Sequence, residues 1–180
     1  MTTSPSSTTI GVAIAVPDPW GSQLQAYRTV LGDDRAGGIP THVTLAPPFG
    51  VEADDLPEVV RHLADASAGA CPFRIHLRGT GTFRPVSPVV FVTVVEGISA
   101  CEQLAVAVQR GPLDTDPAFP YHPHVTVAHD LPDDVLDRAF ADLAGFECDF
   151  VVDRFSLFVH DLDAGWVPTR DFALSADADA

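Results

Sequence analysis

The feature that most constrains the fold of this chain is an order of predicted elements that occurs twice, at a spacing of about 80 residues. Each copy runs strand, helix, strand, helix, strand, as judged from apolar alternation and from apolar residues spaced three or four apart. The predicted elements are 9–16, 20–31, 41–45, 56–63 and 73–77 in the first copy, and 88–95, 101–108, 123–127, 136–143 and 155–159 in the second. Such a repeat predicts two lobes around a pseudo-two-fold axis, with the third elements facing each other at that axis.

The central strand of each copy carries a His-x-Thr triplet, His42-Val43-Thr44 and His124-Val125-Thr126. Side chains alternate between the two faces of a strand, so the valines point into the core and each His/Thr pair points away, about 7 Å apart along the strand. One such triplet is usually just a polar strand face. Two of them in matched positions of a repeat predict one cleft with two imidazoles and two hydroxyl groups.

These triplets and their surroundings resemble the twin signature of the 2H phosphoesterase superfamily, which includes 2′-5′ RNA ligase-like proteins and 2′,3′-cyclic phosphodiesterases. Flanking segments agree with the resemblance, which covers about residues 8–175: 38–45 with 47–49, 79–83, 121–128, 155–157 and 166–174. The resemblance implies an α+β, bilobal fold with two pseudo-two-fold related, antiparallel-rich sheets, outer helices and a central cleft. The repeat halves are expected at about 8–84 and 88–160 of a single domain, with flexible tails at 1–7 and 176–180.

A two-histidine site can hydrolyse a phosphodiester without a metal or other cofactor. Histidine can take a proton from water and give one to the leaving oxygen near neutral pH, and threonine hydroxyls can donate to the phosphoryl oxygens. The resemblance implies that His124 is the base on water and His42 the acid, with Thr44 and Thr126 as donors. The residues alone leave that order open, because a flipped substrate exchanges the two roles.

Five further residues are candidates for substrate binding. Phe83 and Tyr121 could stack a nucleobase, although packing accounts for them equally well. Arg84 could meet phosphate, although solvent exposure is the simpler interpretation. His122 shares strand parity with His124. His129 stands where many relatives carry a basic residue, often Arg, shortly after the second triplet, and this departure weakens the transfer of a specific RNA substrate.

Composition limits the partners. The 180 residues carry a formal charge of −15 and contain no lysine, and such a surface repels long polyanions. We therefore expect a small phosphodiester or nucleotide, or an RNA end, as substrate, with no binding of long nucleic acid. No apolar run is long enough to span a membrane, and three cysteines without a Cys-x-x-Cys are expected to be reduced. A monomer in the cytoplasm is the expectation.

Two other functions compete with hydrolysis. The first is a nucleotide or RNA-end binding module of the same fold without turnover, which would have no need of a paired acid and base. The second is a metallohydrolase using His122, His124 and His129 with Asp130, against which no His-Glu-x-x-His or cysteine cluster appears. Within the leading hypothesis, the sequence does not choose between hydrolysis of cyclic nucleotides, ligation and trimming of RNA ends.

Overall fold

The computed structural model describes residues 7–115, 117 and 119–175, and in this part of the chain it shows an α+β fold with eight strands and four helices. The strands are β1 (Ser7–Ala15), β2 (His42–Glu52), β3 (Phe73–Thr82), β4 (Val89–Glu96), β5 (His124–His129), β6 (Glu147–Val152), β7 (Arg154–Asp161) and β8 (Gly165–Ala173). The helices are α1 (Trp20–Val30), α2 (Leu56–Ala68), α3 (Ile98–Val108) and α4 (Asp133–Asp142), and two 3₁₀ turns lie at Ala36–Gly38 and Gly111–Leu113.

All eight strands belong to one antiparallel sheet, in the order β6-β3-β4-β5-β2-β1-β7-β8. The two sheets expected from the sequence are its two four-stranded halves, joined edge to edge. We call β2, β1, β7 and β8 the His42 half, and β5, β4, β3 and β6 the His124 half. Between β2 and β5, one residue pair defines the register, Val43 with Val125. The α+β, antiparallel fold class predicted from the sequence is confirmed.

The fifth element of each repeat crosses to the other half. β3, from the first copy, pairs with β4, and β7, from the second copy, pairs with β1. The pseudo-two-fold relation therefore holds in space, while each half contains strands from both copies. The edge strand β6 was absent from the sequence prediction. Its alternation of buried and exposed residues is clear in the structure but spans only six residues.

The core explains why the triplets point where they do. Val43, Leu45, Val125 and Val127 are completely buried in one hydrophobic cluster. Helix α3 packs against β2 and helix α1 packs against β5, so each triplet strand is covered by a helix of the opposite repeat copy. Because this face of the central strands is buried, the histidines and threonines are confined to the other face.

The remaining predictions concern the ends of the chain, the cysteines and the membrane. The predicted tails fall outside the described residues, except for Ser7, which begins β1 and pairs with Glu52. Cys101 and Cys148 are buried, Cys71 is half-buried, and all three are free thiols. In the described part of the chain, no helix is long and apolar enough to cross a membrane.

Candidate active site

The four triplet side chains lie at the corners of a rectangle on the exposed face of the central strands. Because Val43 is paired with Val125 in antiparallel register, His42 lies opposite Thr126 and Thr44 lies opposite His124. Strand rise and cross-strand spacing place the Cβ atoms of the two histidines about 8 Å apart along the diagonal. A phosphate between them would have an imidazole on each side and a hydroxyl beside each imidazole.

Each imidazole is oriented by the carbonyl two residues before it. His42 Nδ1 lies 2.5 Å from the Pro40 carbonyl oxygen, and His124 Nδ1 lies 2.7 Å from the His122 carbonyl oxygen. A carbonyl oxygen can only accept, so Nδ1 carries the proton in both rings. In the neutral imidazole, Nε2 is then left with a free lone pair for proton transfer.

Both histidines are shifted towards the neutral form. Burial lowers the pKa of His42, the Arg28 charge acts in the same direction, and the hydrogen bond to Pro40 opposes them. Burial also lowers the pKa of His124, and the neighbouring His122 and His42 lower it further. A charge on His42 thus favours the neutral form of His124.

A cleft of about 300 Å³ opens from the triplets over the His42 half. It contains His42, Thr44 and Thr126, whereas His124 lies beyond its edge. The other lining residues come from β1, β2, β7, β8, the end of β5, helix α1 and the segment that follows it: Gly11, Val12, Ala13, Arg28, Asp33, Arg35, Ile39, Pro40, Ala46, Pro48, His129, Phe158 and Trp166. The cleft is therefore asymmetric, although the four triplet residues are related by the pseudo-two-fold axis.

A buried ion pair fixes the segment that forms one wall of this cleft. Arg28 donates from Nε and Nη2 to Asp33 Oδ2, at 3.2 and 2.8 Å, and both side chains are only 5% exposed. Arg28 Nη1 also donates to the Ile39 carbonyl at 3.1 Å, and Asp33 Oδ1 accepts from the Arg35 N–H at 3.1 Å. These contacts connect α1 to the residues that lead into His42.

Asp130 contacts two residues that line the cleft, Arg35 and His129. Asp130 Oδ2 is 3.2 Å from Arg35 Nη2 and 3.4 Å from His129 Nε2. Asp130 has a φ of 54°, the left-handed conformation that is uncommon for a residue with a side chain. His129, predicted as a substrate contact, thus lines the cleft together with Arg35, which the sequence analysis did not single out.

Two of the predicted binding residues instead pack around His124. The Phe83 ring lies edge-on to His124 with centroids 4.9 Å apart, and also contacts Phe91 and His122. The His122 ring stacks on His124 at 6.1 Å. The structure therefore brings both residues to the triplet site, on the side away from the cleft. Their contact with a substrate stays a prediction.

The last two predicted binding residues, Tyr121 and Arg84, are held by neighbouring residues. The Tyr121 hydroxyl donates to the Thr44 carbonyl at 2.8 Å, and burial raises its pKa. Arg84 Nη2 donates to Asp137 Oδ1 on α4 at 2.8 Å, and Arg84 is not among the cleft residues. Tyr121 thus supports the backbone of the first triplet, whereas the structure does not bring the Arg84 guanidinium to the cleft.

Several cleft residues could not be predicted from the sequence, for identifiable reasons. Trp166 appeared only as part of a terminal strand, and the one available signal was a large aromatic residue in an otherwise polar stretch. Arg28 and Asp33 are five residues apart across a helix end, a spacing with no local signature. Among the described residues, no three His, Cys, Asp or Glu side chains are grouped so as to hold a metal ion.

Comparison with known proteins agrees with the fold. The family model of the 2′-5′ RNA ligase superfamily matches residues 16–164. The chain therefore belongs to this superfamily, the 2H phosphoesterases. A protein of Oceanobacillus iheyensis, provisionally named a phosphoesterase, is 31% identical over 171 residues, which cover 93% of this chain and 98% of that protein. A Bacillus licheniformis protein named in the same way is 34% identical over 141 residues, covering 77% and 82%.

Solved structures show the same fold at lower identity. Escherichia coli LigT complexed with 3′-AMP has a TM-score of 0.66 and 20% identity, covering 95% of this chain and all of LigT. A Thermus thermophilus structure has a TM-score of 0.65 and 22% identity, covering 94% of this chain and 99% of its own.

Proposed function

We propose that the protein hydrolyses 2′,3′-cyclic phosphates or related small phosphodiesters, RNA ends included, by acid-base catalysis between its two triplet histidines. The observation that carries this proposal is the rectangle of His42, Thr44, His124 and Thr126, in which both Nε2 atoms are left free by the hydrogen bonds at Nδ1. That arrangement provides one acid, one base and two hydroxyl donors around a single phosphate.

The asymmetry of the cleft supports an order for the proton transfers. The cleft lies over the His42 half, so the bulk of a substrate fits beside His42. The leaving oxygen remains attached to that bulk and lies near His42, while water attacks in line from the side of His124. His124 Nε2 takes a proton from water as the new P–O bond forms. His42 Nε2–H gives a proton to the ribose oxygen as the old P–O bond breaks, and the product is a phosphomonoester.

The charges of the cleft support a substrate with a single phosphate. Each arginine that lines it already contacts a carboxylate: Arg28 contacts Asp33, and Arg35 contacts Asp130. A cyclic phosphodiester carries one negative charge, whereas a polyphosphate would need several unpaired cations. The size of the cleft, about 300 Å³, also fits one nucleotide rather than an oligonucleotide. The LigT complex with 3′-AMP is compatible with a nucleotide in a protein of this fold.

The test is hydrolysis of the four 2′,3′-cyclic mononucleotides in excess chelator, comparing the wild type with His42→Ala and His124→Ala. We expect chelator-resistant turnover that falls by about 10²- to 10⁴-fold in each variant. His76→Ala is the matched control, because His76 contacts Glu147 on β6 and does not line the cleft. Turnover lost on chelation would support the metallohydrolase instead. Nucleotide binding without turnover would support the binding module.

A further inference from the structure

Trp166 is the tryptophan that lines the cleft, and its ring forms part of the cleft wall. It lies on β8, two strands away from β1, yet its ring reaches across β7 to Gly11 of β1. A Cβ at Gly11 would lie 3.3 Å from the Trp166 ring, so the absence of a side chain there leaves room for the close approach. The His160 imidazole contacts the ring edge-on, with centroids 5.1 Å apart.

The turn beside Trp166 is fixed to the opposite loop by a close backbone contact. Gly165 has a φ of 75°, and a Cβ there would lie 2.6 Å from the Gly38 carbonyl oxygen. Gly38 ends the 3₁₀ turn that follows Arg35. The β7–β8 turn and the loop after α1 are therefore held side by side, and both contribute to the same cleft.

The rest of this part of the cleft is mainly apolar. Phe158, Pro48, Ala46 and Ile39 line it together with Trp166, in the same cleft as His42 and Thr44. The corresponding space in the His124 half is occupied by Phe83 and Phe91, which pack on His124. A flat, apolar group attached to the reacting phosphate thus has room in the cleft on the His42 side.

We infer that Trp166 forms the base subsite of this enzyme and that the nucleobase of a nucleoside 2′,3′-cyclic phosphate stacks on its ring. This inference rests on the proposed function for the identity of the reacting group. The nucleobase is recognised by stacking on the His42 side. The subsite therefore accepts any of the four bases, because every nucleobase has a π-face. Ribose cyclic phosphates without a base would be hydrolysed with a higher KM.

The kinetic test compares 2′,3′-cyclic AMP with methyl β-ribofuranoside 2,3-cyclic phosphate, which has the same reacting ring and no base. We expect Trp166→Ala to raise KM for the nucleotide by about 10- to 100-fold and to leave the base-free substrate unchanged. Trp166→Phe should restore most of the loss. An equal loss on both substrates would show that Trp166 only maintains the structure, and would overturn the inference.

A binding test separates this inference from the proposed function. The chain has two tryptophans, so Trp20→Phe leaves Trp166 as the single fluorophore. Adding His124→Ala to this variant prevents turnover of the nucleotide by the proposed route. Saturable quenching by 2′,3′-cyclic AMP, without quenching by the base-free compound, is the expected result, and it would support the subsite even if the wild type hydrolysed neither compound. Absence of quenching by the nucleotide would overturn the subsite, whatever the outcome of the turnover assay.

Discussion

The buried pair of Arg28 and Asp33 gives a prediction whose size follows from its surroundings. Asp33→Ala removes the oxygen that accepts two hydrogen bonds from Arg28. The Arg28 guanidinium, whose side chain is 5% exposed, keeps its hydrogen bond to the Ile39 carbonyl. Removing one partner of a buried pair typically costs about 3–5 kcal/mol of unfolding free energy, because the remaining charge is neither solvated nor paired.

The chain also offers a matched control. Arg74 and Asp149 form an ion pair with the same 2.8 Å N–O distance, but their side chains are 56% and 53% exposed. Asp149→Ala should therefore cost no more than about 1 kcal/mol. The double variant Arg28→Met with Asp33→Ala should recover part of the loss of Asp33→Ala alone, since it leaves no buried charge.

Urea unfolding followed by circular dichroism measures these differences as shifts in midpoint. The same variants report on the site, because the pair fixes the segment that contains Pro40, whose carbonyl orients His42. Asp33→Ala should lower kcat, whereas Asp149→Ala should not. If the two single variants lose equal stability, burial does not determine the cost and the reasoning is wrong.

Two further predictions concern titration and thiol reactivity. Because burial lowers the pKa of both His42 and His124, the optimum of kcat/KM should lie below pH 6.5. The alkaline limb of kcat should lie at higher pH than that of kcat/KM, since a bound phosphate anion favours the imidazolium. A kcat/KM that is flat from pH 5 to 8 would contradict this prediction. Burial raises the pKa of Cys101 to about 12 and of Cys148 to about 11. A thiol reagent should therefore modify the half-buried Cys71 first in the native protein. Early modification at Cys101, detected by mass spectrometry, would contradict this prediction.

The elements that the sequence revealed are those in which apolar residues recur at a regular spacing. All four helices and the two triplet strands lie where the spacing predicts them, because one face of each is buried in the common core. The orientation of His42 and His124 could also be predicted, since alternation along a strand is a property of the backbone. The repeated order of elements predicted the two-lobed arrangement, and the resemblance implied the same arrangement.

What the sequence did not reveal depends on contacts between distant residues. The pairing of β3 with β4 and of β7 with β1 is a choice among several antiparallel orders that satisfy the same apolar pattern. The placement of Trp166 over Gly11 depends on that choice, because it requires β7 to lie between β1 and β8. Arg35 is likewise a cleft residue only because β5 ends beside the loop that follows α1.

The exchange of β3 and β7 between the two halves also constrains how the chain can be made. While the first copy leaves the ribosome, β1 has β2 on one side and nothing on the other until residues 154–161 emerge. An open strand edge of this kind is a template for pairing between chains. The N-terminal copy is therefore not expected to fold on its own, and the two His-x-Thr triplets come into register only after β5 of the second copy has emerged. A nascent chain stalled before β7 would expose the open edge of β1 and would therefore be a substrate for chaperones.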